Sequence, residues 1–109
     1  MSSQRLGRSG EELAAEHLRG LGYEVLARNF RCRRGEIDLV CRRRGEVSLV
    51  EVKTRSGAGH GTPGEALDGA KRRAMEGTVA EYRALSGWRG PVRFQLVAIT
   101  LEVIDDVLR

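Results

Sequence analysis

Apolar residues recur with two different periods along the chain, and each period predicts one kind of secondary structure. A helical spacing predicts a first helix over residues 9–21, with Ser9 as its N-cap and Gly22 just beyond its end. Glu11 falls on the inward face of this helix, because it lies three residues before the first apolar position. The inward apolar positions are Ala14, Leu18 and Leu21.

Two apolar runs separated by a short charged segment predict an antiparallel β-hairpin. The runs span residues 36–40 and 49–53, and Arg44 with Gly45 is expected to form the two-residue turn between them. Because side chains alternate along a strand, the charged positions within the two runs are expected to share one face of the hairpin.

The turn fixes which residues of the hairpin oppose each other. With Arg44 and Gly45 in the turn, the numbers of paired residues sum to 89, so Asp38 is opposite Glu51. Glu36 is opposite Lys53 in the same register. Opposed side chains lie about 4.5–5.5 Å apart at Cβ, so this register brings the acids and the lysine together.

Two strands and a helix complete the predicted secondary structure. A short strand over residues 23–28 precedes the hairpin, and a loop over residues 29–35 connects them. A second helix is predicted over residues 62–85, because Pro63 follows a threonine cap. A last strand over residues 92–99 has an apolar centre, which is typical of an interior strand.

The element order αβββαβ predicts an α/β fold in which a mixed sheet is flanked by helices. The 109 residues are enough for one domain and too few for two, so residues 1–109 are expected to form a single domain. Residues 1–8 precede the first predicted helix and are expected to form an N-terminal tail.

Positive charge is concentrated in one part of the chain. The formal net charge is +4, and residues 31–55 carry eight basic and four acidic side chains, whereas the remaining residues are balanced. A polyanion such as a nucleic acid would therefore be drawn to the predicted hairpin and its surroundings.

The sequence favours a cytoplasmic protein without a membrane partner. No apolar stretch approaches the length of a membrane span, and no signal peptide is visible. Cys32 and Cys41 have neither the spacing of a zinc site nor the number needed for a disulfide framework. We expect both cysteines to be reduced thiols.

The opposed carboxylates of the hairpin need a compensating partner, because like charges directly opposite each other destabilise a sheet. A divalent cation such as Mg²⁺ or Mn²⁺ would provide it, since hard ions are bound by one or two carboxylates together with water and substrate phosphates. The alternative is a solvated sheet face on which these carboxylates pair with the nearby arginines.

The order of these residues resembles the PD-(D/E)xK nuclease superfamily. Asp38 stands as the first acid, and Glu51, Val52 and Lys53 follow about a dozen residues later as the ExK triplet. Ile37 occupies the position at which the superfamily usually has a proline.

The fuller strings over residues 35–39 and 50–55 resemble one branch in particular, the YraN-like family. These are bacterial proteins predicted to be endonucleases and related in fold to archaeal Holliday junction resolvases. The resemblance covers roughly residues 10–99 and implies a restriction-endonuclease-like core. Gln95 departs from the family pattern, which usually has an aspartate after the preceding phenylalanine.

The resemblance also implies a role for each residue of the hairpin site. Asp38 and Glu51 would hold the metal ion, with the Val52 carbonyl as a further ligand. Lys53 would orient the attacking water or stabilise charge on the phosphorane. Glu36 would be an outer partner, held by Lys53 across the strands.

Two residues outside the hairpin join the site by resemblance. Glu11 would reach the metal or a second ion from the first helix, although compensation of the helix dipole is the alternative reading of its position. Lys71 would be oriented toward the site, although a solvated basic patch on the second helix explains it equally well.

Several basic residues are candidates for contact with nucleic-acid phosphates, which positions the ligand without reading its sequence. DNA is preferred to RNA as the ligand, and a branched or flapped DNA substrate is suggested by fold-level analogy. The candidates are Arg31, Arg33, Arg34, Arg55, Lys71 and Arg72.

Together, these features predict a Mg²⁺- or Mn²⁺-dependent endonuclease that hydrolyses phosphodiester bonds. The first alternative is a non-catalytic nucleic-acid-binding accessory module, for which the basic hairpin serves equally well. A protein-interaction domain with relic acids is a third class. The sequence leaves the formation of a homodimer open.

Overall fold

The chain folds into a four-stranded mixed sheet that carries one helix on each face. A computed structural model describes residues 3–33, 35–56 and 69–108. The elements are α1 (Ser3–Gly20), β1 (Glu24–Cys32), β2 (Gly35–Arg43), β3 (Glu46–Ser56), α2 (Gly69–Ser86) and β4 (Val92–Leu101). This confirms the α/β class and the order αβββαβ, and it is consistent with a restriction-endonuclease-like core. Neither of the described helices is long and apolar enough to cross a membrane.

The strands follow one another across the sheet in the order β1-β2-β3-β4. The first three are joined by antiparallel pairing, whereas β4 runs parallel to β3. A parallel neighbour requires a crossover connection, and α2 belongs to that connection. The predicted start of the second helix at Thr62 and Pro63 lies outside the described residues.

α1 begins earlier than its apolar spacing predicted. It starts at Ser3, so Ser9 is not its N-cap, and residues 3–8, which we expected to belong to a tail, are helical. No proline interrupts this segment, and a proline would have ended the helix. Residues 1–2 lie outside the described part of the chain.

The end of α1 agrees with the sequence prediction. Gly22 has a φ of +94°, a left-handed conformation that glycine adopts without strain. The Tyr23 N–H donates to the Leu18 carbonyl over 3.0 Å, which is the longer bond of a Schellman motif. Leu21 lies beyond the last turn and is 51% exposed, so its predicted burial is wrong.

The β2–β3 hairpin has the predicted turn, and it has the predicted register as far as Leu39 and Val50. The predicted pairs Asp38–Glu51 and Glu36–Lys53 lie beyond this last pair and are not formed. Arg44 and Gly45 have φ values of +52° and +77°, and positive values at both central residues are required by a type I′ turn. From the turn to the Leu39–Val50 pair, the numbers of paired residues sum to 89.

β1 is longer than predicted and forms a second hairpin with β2. It runs to Cys32, which pairs with Gly35, so most of the predicted loop over residues 29–35 is strand. Asn29 has a φ of +51°, which asparagine tolerates better than most residues. This irregularity lies opposite Asp38 in the register of the neighbouring pairs.

The two faces of the sheet form separate apolar clusters. Their buried members are Ala14, Ala15, Leu18, Tyr23, Leu39, Cys41 and Val50 on the α1 face, and Ile37, Val40, Val47, Leu49 and Tyr82 on the α2 face. The Phe30 and Tyr82 rings pack edge to face, with their centroids 5.6 Å apart. Burial raises the pKa of the Cys41 thiol, so this residue is part of the core.

β4 was predicted as an interior strand, but it is the outer strand of the sheet within the described residues. Phe94 packs on the α2 face and Val97 on the α1 face, so both sides of the strand are apolar. Leu96 remains 36% exposed. Apolar residues on both sides therefore reflect the two covering helices and do not require a neighbouring strand on each edge.

α1 approaches β3 and β4 closely at Gly10. A Cβ at this position would overlap the hydroxyl oxygen of Thr54 and would lie 3.6 Å from Cδ1 of Ile99. Glu11 follows directly in the helix, so the absence of a side chain at Gly10 determines how near the Glu11 carboxylate comes to the sheet.

We therefore predict that Gly10→Ala lowers the free energy of unfolding by about 1–3 kcal/mol, because the added methyl overpacks the contact. Urea denaturation measures this change. Gly20→Ala is the matched control: no atom lies within 4 Å of an added Cβ there, so the variant should gain stability from helix propensity.

The double variant Gly10→Ala/Thr54→Ala identifies the cause of the loss. If the Thr54 hydroxyl is the obstacle, removing it should make the combined loss smaller than the sum of the two single losses. Strictly additive losses would contradict steric overlap at this contact.

Candidate functional site

The candidate site lies where the β2–β3 ladder opens. The ladder reaches its last pair at Leu39 and Val50, and Asp38 comes next on β2. In place of a backbone pair, Asp38 Oδ2 accepts a hydrogen bond from the Val52 N–H over 2.7 Å. Because a strand's N–H groups lie close to the plane of the sheet, the Asp38 carboxylate lies between the two strands.

Glu11 reaches this carboxylate from α1, as its inward position predicted. The pKa of Glu11 is raised, first by its partial burial and then by the charges of Asp38 and Glu36. A hydrogen bond between the Glu11 and Asp38 carboxyls raises this pKa further, and Arg28 opposes the effect. α1 and β2 therefore hold two carboxyl groups in direct contact.

Lys53 forms an ion pair with Glu51, two residues before it on β3. Its Nζ lies 3.5 Å from Glu51 Oε1, and the two side chains are 43% and 48% exposed. We expected Lys53 to hold Glu36 across the strands, and that expectation is wrong. Exposed ion pairs of this kind contribute little to stability, so Lys53 can exchange its partner for a ligand.

The prediction that all the charged side chains share one sheet face is wrong at Asp38, whose carboxylate lies between the strands, whereas Glu36 and Glu51 line one cleft. Ile37 and Val40 both pack on the α2 face although they are three residues apart, so the regular alternation of β2 breaks between them. Leu49 packs on the α2 face and Val50 on the α1 face. Alternation along β3 then places Glu51 on the α2 face, whereas Glu11 approaches from the α1 face.

A small cleft joins the two acidic strands on the α2 face. It has a volume of about 180 Å³, and its lining includes Glu36, Glu51 and Thr78. Asp38 lies between this cleft and Glu11, because its carboxylate occupies the gap between β2 and β3. The site thus combines this cleft on the α2 face with Glu11, which approaches Asp38 from the α1 face.

The Val52 backbone faces this gap. The N–H and C=O of one residue in an extended strand point to the same side, and the Val52 N–H points to Asp38. The Val52 carbonyl is therefore directed toward β2, beyond the last pair of the ladder.

The donor set of the site suits a hard cation. Within the described ranges, no three His, Cys, Asp or Glu side chains converge as a metal-binding group. Mg²⁺ does not require three, because it is bound by one or two carboxylates and keeps several waters. The touching carboxyls of Glu11 and Asp38 supply two such ligands, and a cation would relieve the repulsion that raises the pKa of Glu11.

The structure describes only some of the basic residues that we proposed as phosphate contacts. Arg31 is exposed on β1, and Arg55 is half-buried on β3. Arg34 lies outside the described residues, and so do the side chains of Lys71 and Arg72.

Arg33 has a partner that the sequence did not predict. Its backbone N–H donates to both carboxylate oxygens of Glu81, over 2.9 and 3.0 Å. This contact joins the turn between β1 and β2 to α2 across 48 residues of sequence. No local pattern indicates such a contact, since it depends on how α2 crosses the sheet.

Gln95 takes part in a small polar cluster beneath α1. Its Nε2 donates to the Tyr23 hydroxyl over 3.2 Å, and the Arg43 guanidinium lies 4.1 Å from the centre of the Tyr23 ring. The Gln95 Oε1 is buried without a hydrogen-bond partner among the described residues. Gln95 pairs with Val50 on β3, so the departure from the family pattern lies beside the last pair of the β2–β3 ladder.

Comparison with known proteins identifies the family. A sequence model of the uncharacterised protein family UPF0102 matches residues 10–99. A UPF0102 protein of Clavibacter michiganensis is 49% identical over 104 residues, covering 88% of this chain and 82% of its own. Relatives from Symbiobacterium thermophilum (46% identical, covering 89% and 83%) and Caldicellulosiruptor saccharolyticus (40%, covering 99% and 92%) are also similar. These matches confirm the resemblance that the two hairpin strings indicated, and the chain belongs to UPF0102, the YraN-like family.

Proposed function

We propose that this protein is a metal-dependent endonuclease that hydrolyses phosphodiester bonds. The observation that carries the proposal is the pair of touching carboxyls, Glu11 and Asp38, beside the open end of the β2–β3 ladder. Two ionised acids in contact without a cation are unfavourable, and clusters of this kind occur often at functional sites.

Four residues of the chain would act as metal ligands. Asp38 and Glu11 would hold Mg²⁺ or Mn²⁺ together with the Val52 carbonyl, and Glu51 would become a ligand only after its side chain leaves Lys53 and turns toward Asp38. When bound, the ion would polarise the phosphate and lower the pKa of an attacking water. Asp38 is already oriented for this role, because the Val52 N–H fixes one of its oxygens.

Lys53 would leave Glu51 when the substrate phosphate arrives. Its ammonium would then orient the attacking water or stabilise the charge that develops on the phosphorane. The exchange also frees the Glu51 carboxylate as a ligand. Glu36, which lies close enough to Glu11 to raise its pKa, would be an outer partner of the ion.

DNA, branched or flapped, is the substrate that we propose, on fold-level analogy with junction-cleaving nucleases. Arg31 lies on β1, Arg33 in the turn that leads to β2, and Arg55 on the strand that carries Glu51. These three arginines would contact the phosphates beside the cleaved bond. Arg34, Lys71 and Arg72 remain candidates for the same contact.

The second candidate function is a nucleic-acid-binding module without turnover. The observation that favours it is the Glu51–Lys53 ion pair, which engages two of the expected active residues with each other. A cleavage panel of single strand, duplex, flap and four-way junction, with Mg²⁺ or Mn²⁺ against an EDTA control, separates the two functions.

We predict that Mg²⁺ stabilises the wild type more than Asp38→Asn. At a concentration about tenfold above Kd, binding should contribute about 1.4 kcal/mol, a shift of several degrees in Tm. An asparagine side chain can still accept the hydrogen bond from the Val52 N–H, so the substitution mainly removes the negative charge. Glu46→Gln removes a carboxylate at the far end of β3 and should respond like the wild type. Equal shifts in the wild type and Asp38→Asn would count against an ion here.

Glu11→Gln should stabilise the protein at neutral pH and lose this advantage in acid. Because the folded state raises the pKa of Glu11, it binds this proton more tightly than the unfolded chain does. The ionised carboxylate therefore disfavours folding above the raised pKa, and the penalty fades as the pH falls toward the ordinary value of 4.5. Thermal melts of both proteins across the acid range measure this difference. Glu12→Gln, on the exposed side of α1, is the control that should follow the wild type.

Lys53→Ala should abolish cleavage while changing affinity little. Losing a positioned electrostatic group costs about 10²–10³ in rate, whereas losing one phosphate contact reduces the salt slope of binding by about one. Arg31→Gln with Arg33→Gln should do the reverse, with weaker and less salt-sensitive binding and unchanged chemistry at saturating substrate.

The rate and affinity of these variants must be measured on the same DNA. If Lys53→Ala cleaves as fast as the wild type, Lys53 has no catalytic role. If the wild type binds but cleaves nothing in the panel, and Asp38→Asn binds more tightly, the protein is a binding module whose acids repel phosphate.

A further inference from the structure

The consecutive arginines of the β2–β3 hairpin lie at the end of the sheet opposite the candidate site. Asp38 and Arg43 are five residues apart on β2, which corresponds to roughly 17 Å along a strand. The positive charge that the sequence concentrates in residues 31–55 is therefore divided between two ends of the molecule, and Arg44 stands in the turn at the second end.

The segment before β4 brings more arginines to this second end. The Val47 N–H donates to the Pro91 carbonyl over 3.0 Å, so the β2–β3 turn and the α2–β4 connection meet here. Arg89 precedes this contact by two residues, and Arg93 follows it by two. We call Arg42, Arg44, Arg89 and Arg93 the tip surface; all four are exposed.

Two further arginines at this end have structural roles and are not counted in the tip surface. Arg43 stacks on the Tyr23 ring and donates to the Leu21 carbonyl over 2.9 Å. Arg83 donates to the carbonyls of Trp88 and Gly90 over 3.3 and 2.8 Å. These bonds satisfy backbone carbonyls beyond the ends of the two helices, which is a common task of arginine.

The acids at this end neutralise the tip surface only in part. Arg42 lies 3.4 Å from Glu24, and Arg93 lies 4.0 Å from Glu46, with all four side chains about half exposed. Arg44 is the remaining basic residue of the turn and, like Arg89, forms no ion pair with another side chain in the described part of the chain. Exposed ion pairs are weak, so all four guanidinium groups can turn to a phosphate.

We propose that the tip surface binds the phosphate backbone of nucleic acid at a second place, separate from the candidate site. The distance between the two ends matches about five base pairs of duplex, which rises about 3.4 Å per pair along each strand. The proposal rests on the proposed function for its ligand class, and it implies a substrate with a duplex arm long enough to span both ends.

The variant Arg44→Asn/Arg89→Gln tests the tip surface. Asparagine tolerates the positive φ of Arg44, so the type I′ turn should survive the substitution. Binding is measured by fluorescence anisotropy in EDTA, which prevents cleavage, on DNA hairpins with stems of about 3 and about 16 base pairs, of which the shorter is below the span of both ends.

The wild-type salt slope should steepen from the short stem to the long one, because only the long stem reaches both ends. The double variant should lose about two units of slope on the long stem, at about 0.9 per phosphate contact. An unchanged slope on the long stem would overturn the proposal, and so would tighter binding to anionic phospholipid vesicles than to DNA.

A matched double variant serves as the control, and a single variant replaces the tip variant if that protein does not fold. Arg31→Gln/Arg33→Gln removes the same charge at the site end and should flatten the slope on both stems. If the tip variant fails to fold by circular dichroism, Arg89→Gln alone should lose about one unit. If the wild type never cleaves but the tip variant still flattens the slope, the proposed nuclease activity fails while the second binding surface stands.

Discussion

The separation of β2 from β3 at Asp38 is the constraint on which the rest of the candidate site depends. Below this point the two strands pair residue by residue, and at this point a side-chain carboxylate replaces a backbone partner of Val52. The replacement holds the carboxylate in the gap between the strands, where Glu11 can reach it from the helix above. The positions of Glu51 and Lys53 follow from the same opening, because β3 continues past its last partner on β2 and is paired there only with β4.

Local chemistry made much of the fold predictable. The turn at Arg44 and Gly45, its register as far as Leu39 and Val50, and the glycine after α1 each depend on a few adjacent residues, and each was predicted correctly. The strings that identify the family lie on the same hairpin, and the family was identified correctly as well. Glu11 was placed on the inward face of its helix by spacing alone, and it does face the sheet.

The errors came from features that depend on more than one element. A continued register put Glu36 opposite Lys53, but the ladder ends at Leu39 and Val50. The alternation of β2 also breaks near Asp38, opposite the irregular Asn29. The outer position of β4 was missed because two covering helices make a strand apolar on both sides wherever it lies in the sheet. The Glu81 contact to the β1–β2 turn joins residues 48 positions apart, and no pattern in the sequence encodes it.

The parallel placement of β4 has a consequence for how the chain folds. The first three strands are joined by tight turns, so their contacts are close in sequence and cost little loop entropy to form. β4 pairs only with β3 among the described strands, and its pairs join residues far apart in sequence, as the pairing of Val47 with Val92 shows. We expect the meander to order first and β4 to dock last. Amide exchange should then be faster in β4 than in β2, although both strands belong to one sheet.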